Sequence, residues 1–89
     1  MATQTTSYTK PAPPAAYAQP TTALEALRYL YAIRGRAHYY GSWIKVSVKI
    51  GDDITFAAHQ IGNGGDEVFS FLAAARSLWE LLNEWREEQ

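Results

Sequence analysis

In Trp43-Ile44-Lys45-Val46-Ser47-Val48-Lys49-Ile50 the aliphatic residues at 44, 46, 48 and 50 alternate with Lys, Ser and Lys. That is the period of a strand with one buried and one wet face. Gly51-Asp52-Asp53 is turn chemistry, and the run from Ile54 to Ile61 that follows completes an antiparallel hairpin. Pairing Ile50 with Ile54 sets Val48 opposite Phe56 and Val46 opposite Ala58 on the core side, with Lys49 opposite Thr55 and Lys45 opposite His59 outside. Upstream, Tyr40-Gly41-Ser42-Trp43 has the form of a Gly-x two-residue turn, which predicts a short third strand over 36–40.

Helical spacing flanks these strands. Thr22-Ala23-Leu24-Glu25 fits a capping box, with the Thr hydroxyl accepting the Glu25 N–H and the Glu25 carboxylate reaching back to the cap N–H. The helix it opens is expected to run through Arg34, with Leu24, Leu27, Leu30 and Tyr31 on the core face, and Ala23, Ala26 and Ile33 beside them. Glu25, Arg28 and Tyr29 are expected to face water, and Gly35 to supply the left-handed terminating residue. The glycine-rich residues 62–65 break the sheet. Asp66-Glu67 then place two carboxylates at the start of a final helix over 66–87, where the macrodipole favours negative charge. On a helical wheel Val68, Phe71, Leu72, Ala75, Leu78, Trp79 and Leu82 form its central stripe. Ala74, Leu81 and Trp85 extend one flank and Phe69 stands off the other, so the apolar arc is near half the circumference. Covering one sheet takes an arc of about 100°, so the surplus is expected to meet something else, first of all a second copy in a homodimer through helix 66–87.

The expected fold class is therefore α+β: a small antiparallel β-hairpin or three-stranded sheet covered by two helices, in α-β-β-(β)-α order, behind an extended Pro-rich N-terminal tail. The element order, and the run Ala73-Ala74-Ala75-Arg76-Ser77-Leu78, resemble the double-stranded-RNA-binding domain laid over residues 22–86. The resemblance implies that topology alone. That family grips phosphates with a lysine-rich start to its last helix, and the corresponding Asp66-Glu67-Val68-Phe69 is acidic and apolar, so no RNA-contacting residue carries over.

Composition narrows the class. With 89 residues, 47% of them hydrophobic and 19% charged, the chain suits one small globular domain. Residues 1–20 hold all four prolines and no large aliphatic side chain after Met1, which reads as a flexible tail, leaving 21–89 as the domain. The absence of cysteine excludes disulfide frameworks and thiolate chemistry. No apolar run approaches a membrane span and the first 20 residues lack the apolar core of a secretory signal, so a soluble cytoplasmic protein is expected.

No residue set dictates a reaction. His38 and His59 are the only imidazoles, without metal-ligand spacing, and read as sheet-surface residues. Asp52-Asp53 lacks the spaced oxygens of a calcium loop. Residues 62–65 lack the G-K-[ST] ending of a phosphate loop, and the Asp-Glu that follows would repel phosphate. No catalytic residue, metal or cofactor is assigned, and an enzyme is not expected.

Charge is unevenly spread: residues 21–50 carry five bases and one acid, residues 51–89 two bases and eight acids. The segment 28–49 interleaves bases with aromatics, which suits a single-stranded nucleic-acid platform. That is the alternative reading, opposed by the acidic second half. The leading expectation is a small non-catalytic protein-protein interaction module. Such a module would be an adaptor or stoichiometric inhibitor of a larger protein or nucleoprotein complex, of the kind phages and mobile elements make against host defences, anti-CRISPR proteins included. Tyr29, Arg36, Tyr39, Tyr40, Trp43, Trp79 and Trp85 are its expected contact residues; the aromatics among them bury large area at low entropic cost while keeping a polar tip. Arg28, Lys45 and Lys49 are expected to steer approach.

Overall fold

The computed structural model describes residues 16–52, 54–61 and 66–88; the Pro-rich segment 11–14, Asp53 and the glycine-rich 62–65 lie outside the described residues. The elements are α1 (Ala23–Ala32), β1 (Arg36–Tyr39), β2 (Trp43–Ile50), β3 (Ile54–Ile61) and α2 (Glu67–Glu87). The strands form one antiparallel sheet in the order β1-β2-β3. The expected hairpin register holds at each pair: Ile50 with Ile54, Val48 with Phe56, Val46 with Ala58, Lys49 with Thr55 and Lys45 with His59. β1 adds the third strand through Tyr39 with Ile44, His38 with Lys45 and Arg36 with Ser47. Its two-residue connection is closed by the Tyr40 N–H donating to the Trp43 carbonyl at 2.9 Å. Gly41 sits there at φ 76°, a conformation that an L side chain resists and a glycine adopts freely.

Both helices lie on the face that buries Ile44, Val46, Val48 and Ile50. From α2, Ala74, Leu78 and Leu82 enter this core, with Phe71, Trp79 and Trp85 half-buried against it. Asp66 caps α2 by accepting the Phe69 N–H. The buried Ser70 hydroxyl has the carbonyls of Asp66 (3.1 Å) and Ile61 (3.3 Å) within reach, which fastens the helix start to the end of β3. Much of the broad apolar arc of α2 is thus used inside the domain. Some of the rest is covered by residues read in the sequence as tail: the Trp79 Nε1–H donates to the Tyr17 carbonyl at 2.7 Å, and Arg76 Nη1 donates to the Pro20 carbonyl at 2.7 Å. Pro20 is buried and the Tyr17 ring stands edge-on to Tyr29. Val68, Phe69 and Leu81 remain exposed on α2, so Val68 leaves the expected central stripe.

α1 is turned relative to the sequence expectation. Ala26, Tyr29, Leu30 and Ile33 form its buried stripe, while Leu24, Leu27 and Tyr31, expected in the core, are exposed. Both sets have helical spacing; the deciding contact is α2. Ala26, Ala74 and Ala75 are wholly buried, as a close approach between two helices needs, and that approach rolls Tyr29 inward to 6% exposure and Tyr31 outward to 87%. The capping box also differs in one arm. Thr22 Oγ1 accepts the Glu25 N–H as expected, but the Glu25 carboxylate accepts from the backbone N–H and hydroxyl of Thr21, one residue before the cap. The Thr21 backbone bond holds the Glu25 carboxyl below its usual range.

Burial pushes the Tyr29 phenol up to about 12, with a lesser upward push from Tyr17 against a lowering by Arg86. Above its ordinary value of 10.0 the unfolded chain releases this proton while the folded chain keeps it, so stability falls as pH rises toward 12. Denaturation midpoints measured from pH 9 upward are expected to drop less steeply in Tyr29→Phe than in the wild type. Parallel slopes would show that Tyr29 ionises as freely in the fold as outside it.

The helix ends at Ala32 with Ile33 as its cap, short of Arg34, and the left-handed residue is Arg34 at φ 61°. Gly35 N–H donates to Leu30 O at 2.7 Å and Arg34 N–H to Tyr31 O at 3.2 Å, the paired bonds of a Schellman ending. Gly35 is needed for room instead: a Cβ there would lie 3.0 Å from both Leu30 Cδ2 and the Ser47 carbonyl. Arg34→Gly is therefore expected to stabilise the fold by about 0.5–1 kcal/mol, read as a raised thermal midpoint. A lowered midpoint would mean that the Arg34 side chain contributes more than its backbone strain removes.

Candidate functional site

In an antiparallel ladder, paired residues point to the same side and neighbours along a strand to opposite sides. With Ile44, Val46, Val48 and Ile50 turned to the helices, the other face of the sheet carries Arg36, His38 and Tyr40, then Trp43, Lys45, Ser47 and Lys49, then Thr55, Ala57, His59 and Ile61. No helix covers it among the described residues. None of the three strands contains an Asp or Glu; the exposed Asp52 lies in the turn between β2 and β3. The described acids of α2 and its flanks, Asp66, Glu67, Glu80, Glu84, Glu87 and Glu88, are exposed and belong to the helix layer.

The hairpin end of this face is aromatic. Tyr40 and Trp43 stack with ring centroids 4.0 Å apart and planes 19° from parallel. His38 lies nearly parallel to Tyr40 at 6.1 Å, and His59 meets Trp43 at 5.2 Å with a 58° tilt. The four rings make a ridge across all three strands. Because Tyr40 and Trp43 cover a face of each other, the ridge is pre-organised, and a partner meeting it restricts little further rotamer freedom.

The opposite end is basic. Arg34, Arg36, His38, Ser47, Lys49 and Thr55 line a hollow of about 510 Å³. Lys45 links the two ends, paired with His38 on one side and His59 on the other. The strained φ of Arg34 places this fourth cation beside the hollow.

Of the residues singled out in the sequence, Arg36, Tyr40, Trp43, Lys45 and Lys49 come together on this face. The others do not. Tyr29 is in the core; Trp79 is half-buried and bonded to the Tyr17 carbonyl; Trp85 is half-buried with its ring 5.0 Å from Phe56. Tyr39 belongs to the helix side of β1 and donates its hydroxyl to Glu67, a bond that pushes the phenol above its ordinary range. Arg28 is exposed on α1, in the helix layer. His38, His59 and Arg34 complete the face and were not singled out. The two histidines were detectable from the register, which already placed His59 opposite Lys45. Arg34 was not, because its position depends on where the helix stops.

Among the described residues, no group of three or more His, Asp and Glu side chains could hold a metal ion. No described helix is long and apolar enough to cross a membrane. No protein-family model matches this chain, and no curated protein or solved structure does either.

Proposed function

We propose that this protein is a non-catalytic interaction module that docks the open face of its sheet on an acidic surface of a larger protein, as an adaptor or stoichiometric inhibitor. One observation carries the reading: a stacked ridge of Tyr40 and Trp43 flanked by His38 and His59 shares its sheet face with four cations, with no carboxylate on any strand. Tyr, Trp and Arg are the side chains that dominate interface energetics, and same-sign charge around them favours an oppositely charged partner.

The same cations and rings favour a second reading, single-stranded nucleic acid. Base stacking uses an aromatic face lying open, whereas Tyr40 is neighboured by both Trp43 and His38, and Trp43 by both Tyr40 and His59. Protein contact is therefore preferred. Self-association through α2 draws on Val68, Phe69 and Leu81, the exposed apolar residues of that helix, and is a weaker proposal than docking through the sheet.

The deciding experiment captures partners from extract of the source organism on immobilised wild type and on a Lys45→Glu/Lys49→Glu variant, after nuclease treatment. A protein retained by the wild type and lost by the variant supports the proposal. A labelled oligonucleotide shifted in a salt-dependent way, with no nuclease-resistant protein retained, would install the nucleic-acid reading instead.

A further inference from the structure

β1 is one margin of the sheet, and all four of its residues are exposed. Tyr40 and Trp43 are a hydrogen-bonded pair at the turn. Such pairs alternate with non-bonded ones along an antiparallel ladder, so Arg36 and His38 spend their backbone groups on β2 while the N–H and C=O of Ala37 and Tyr39 point away from the sheet. Among the described residues no strand pairs with that row, and a row of this kind is a template for one more strand.

The two sides of that margin differ in chemistry. On the helix side, Leu27, Arg28, Leu30, Tyr31, Gly35 and Ala37 border a mostly apolar groove of about 480 Å³ between α1 and β1. The outward roll of α1 creates it, since Leu27 and Tyr31 lie there exposed instead of in the core. On the other side stand Arg36 and His38, with Lys45 next to them on β2.

We infer that this margin accepts an extended strand of a protein partner in which apolar and acidic residues alternate. The strand's backbone pairs with Ala37 and Tyr39, its apolar side chains enter the groove beneath Leu27 and Tyr31, and its carboxylates lie beside Arg36 and His38. This is strand addition, where the main chain supplies affinity and alternate side chains supply specificity. Charge decides the occupant. A second copy paired through the same margin about a two-fold axis would bring both sets of Arg36 and Lys45 onto one face, like charge against like, whereas alternating acids complement them. The inference rests on the interaction-module reading but uses the sheet margin, not the ridge.

The test uses the full chain and two terminally blocked peptides of about seven residues, ordinary strand length, one alternating valine with glutamate and one alternating valine with lysine. The valine-glutamate peptide is expected to slow amide exchange at Ala37 and Tyr39 by about tenfold or more, and the valine-lysine peptide to leave it unchanged. Ala37→Pro removes an outward N–H at a position where an edge strand tolerates proline, and should weaken the peptide about tenfold. Leu27→Glu alters an exposed residue of the groove and should do the same, which keeps the test decisive if the proline variant does not fold. Glu84→Gln, exposed on α2 away from the margin, should leave peptide binding intact; the peptide reads the margin alone and partner capture reads the ridge face, so a failed ridge and a failed margin are distinguishable. Equal effects of both peptides, or no protection at Ala37 and Tyr39, would overturn the inference. Protection without peptide, together with a dimer mass in sedimentation, would give the margin to a second copy.

Discussion

Leu78→Ala is expected to lower the unfolding free energy by about 3–5 kcal/mol, as a loss of midpoint with little change in denaturant slope. Leu78 has 0% exposure, in the core where α2 crosses the sheet. Truncation forfeits the transfer energy of the side chain and leaves a void, and around it Val46 and Leu82, both at 0%, belong to β2 and α2, elements already fixed by register and packing. A domain of this size has about 5–10 kcal/mol in total, so the variant should be partly unfolded well below the wild-type midpoint. Leu81→Ala is the control. At 39% exposure on the same helix it should change stability by less than about 1 kcal/mol. Equal losses at 78 and 81 would mean that α2 presents a different face to the sheet.

The second large effect is on binding. Once a partner is in hand, Trp43→Ala should weaken it by about 2–4 kcal/mol, roughly thirtyfold to a thousandfold in Kd. Trp43 holds the centre of the ridge, against Tyr40 at 4.0 Å and His59 at 5.2 Å, so its removal also frees both neighbours to sample other rotamers. The loss should lie mainly in the dissociation rate. Lys45→Glu/Lys49→Glu should instead slow association and flatten its dependence on salt. Trp43→Phe, which keeps a ring in the stack, should recover most of the affinity. Calorimetry and stopped-flow kinetics on the purified pair separate these outcomes, and an unchanged Kd for Trp43→Ala would remove the ridge from the interface.

Strand chemistry was readable because period-two alternation admits one solution. Once Ile50 pairs with Ile54, every partner down to Lys45 and His59 follows, and a one-residue slip would turn Val46 and Val48 outward. The glycine at 41 announced its turn just as directly. Helix orientation was not readable in the same way. α1 carries two stripes of valid spacing, and treating Tyr29 as a polar residue selected the wrong one. The choice depends on how near α2 comes, a tertiary fact with no local signature beyond a scatter of alanines. The same limit explains the site. Arg36, Tyr40, Trp43, Lys45 and Lys49 were found as residue types, but Trp79 and Trp85 were assigned to a surface because nothing in a wheel reveals that residues 17–20 and Phe56 meet them. Tyr17 to Pro20 read as tail because extended backbone next to prolines has no periodicity to mark it as docked.

The placement of Arg34, Arg36, Lys45 and Lys49 on one layer and of the α2 carboxylates on the other gives a nearly neutral protein a strong internal electric moment. Near a negative surface that moment exerts a torque before any contact forms, turning the strands inward and the acidic helix away. The domain would then arrive already facing its target, so a search over all orientations shrinks to a search over position, at a total charge that attracts few chance polyanions.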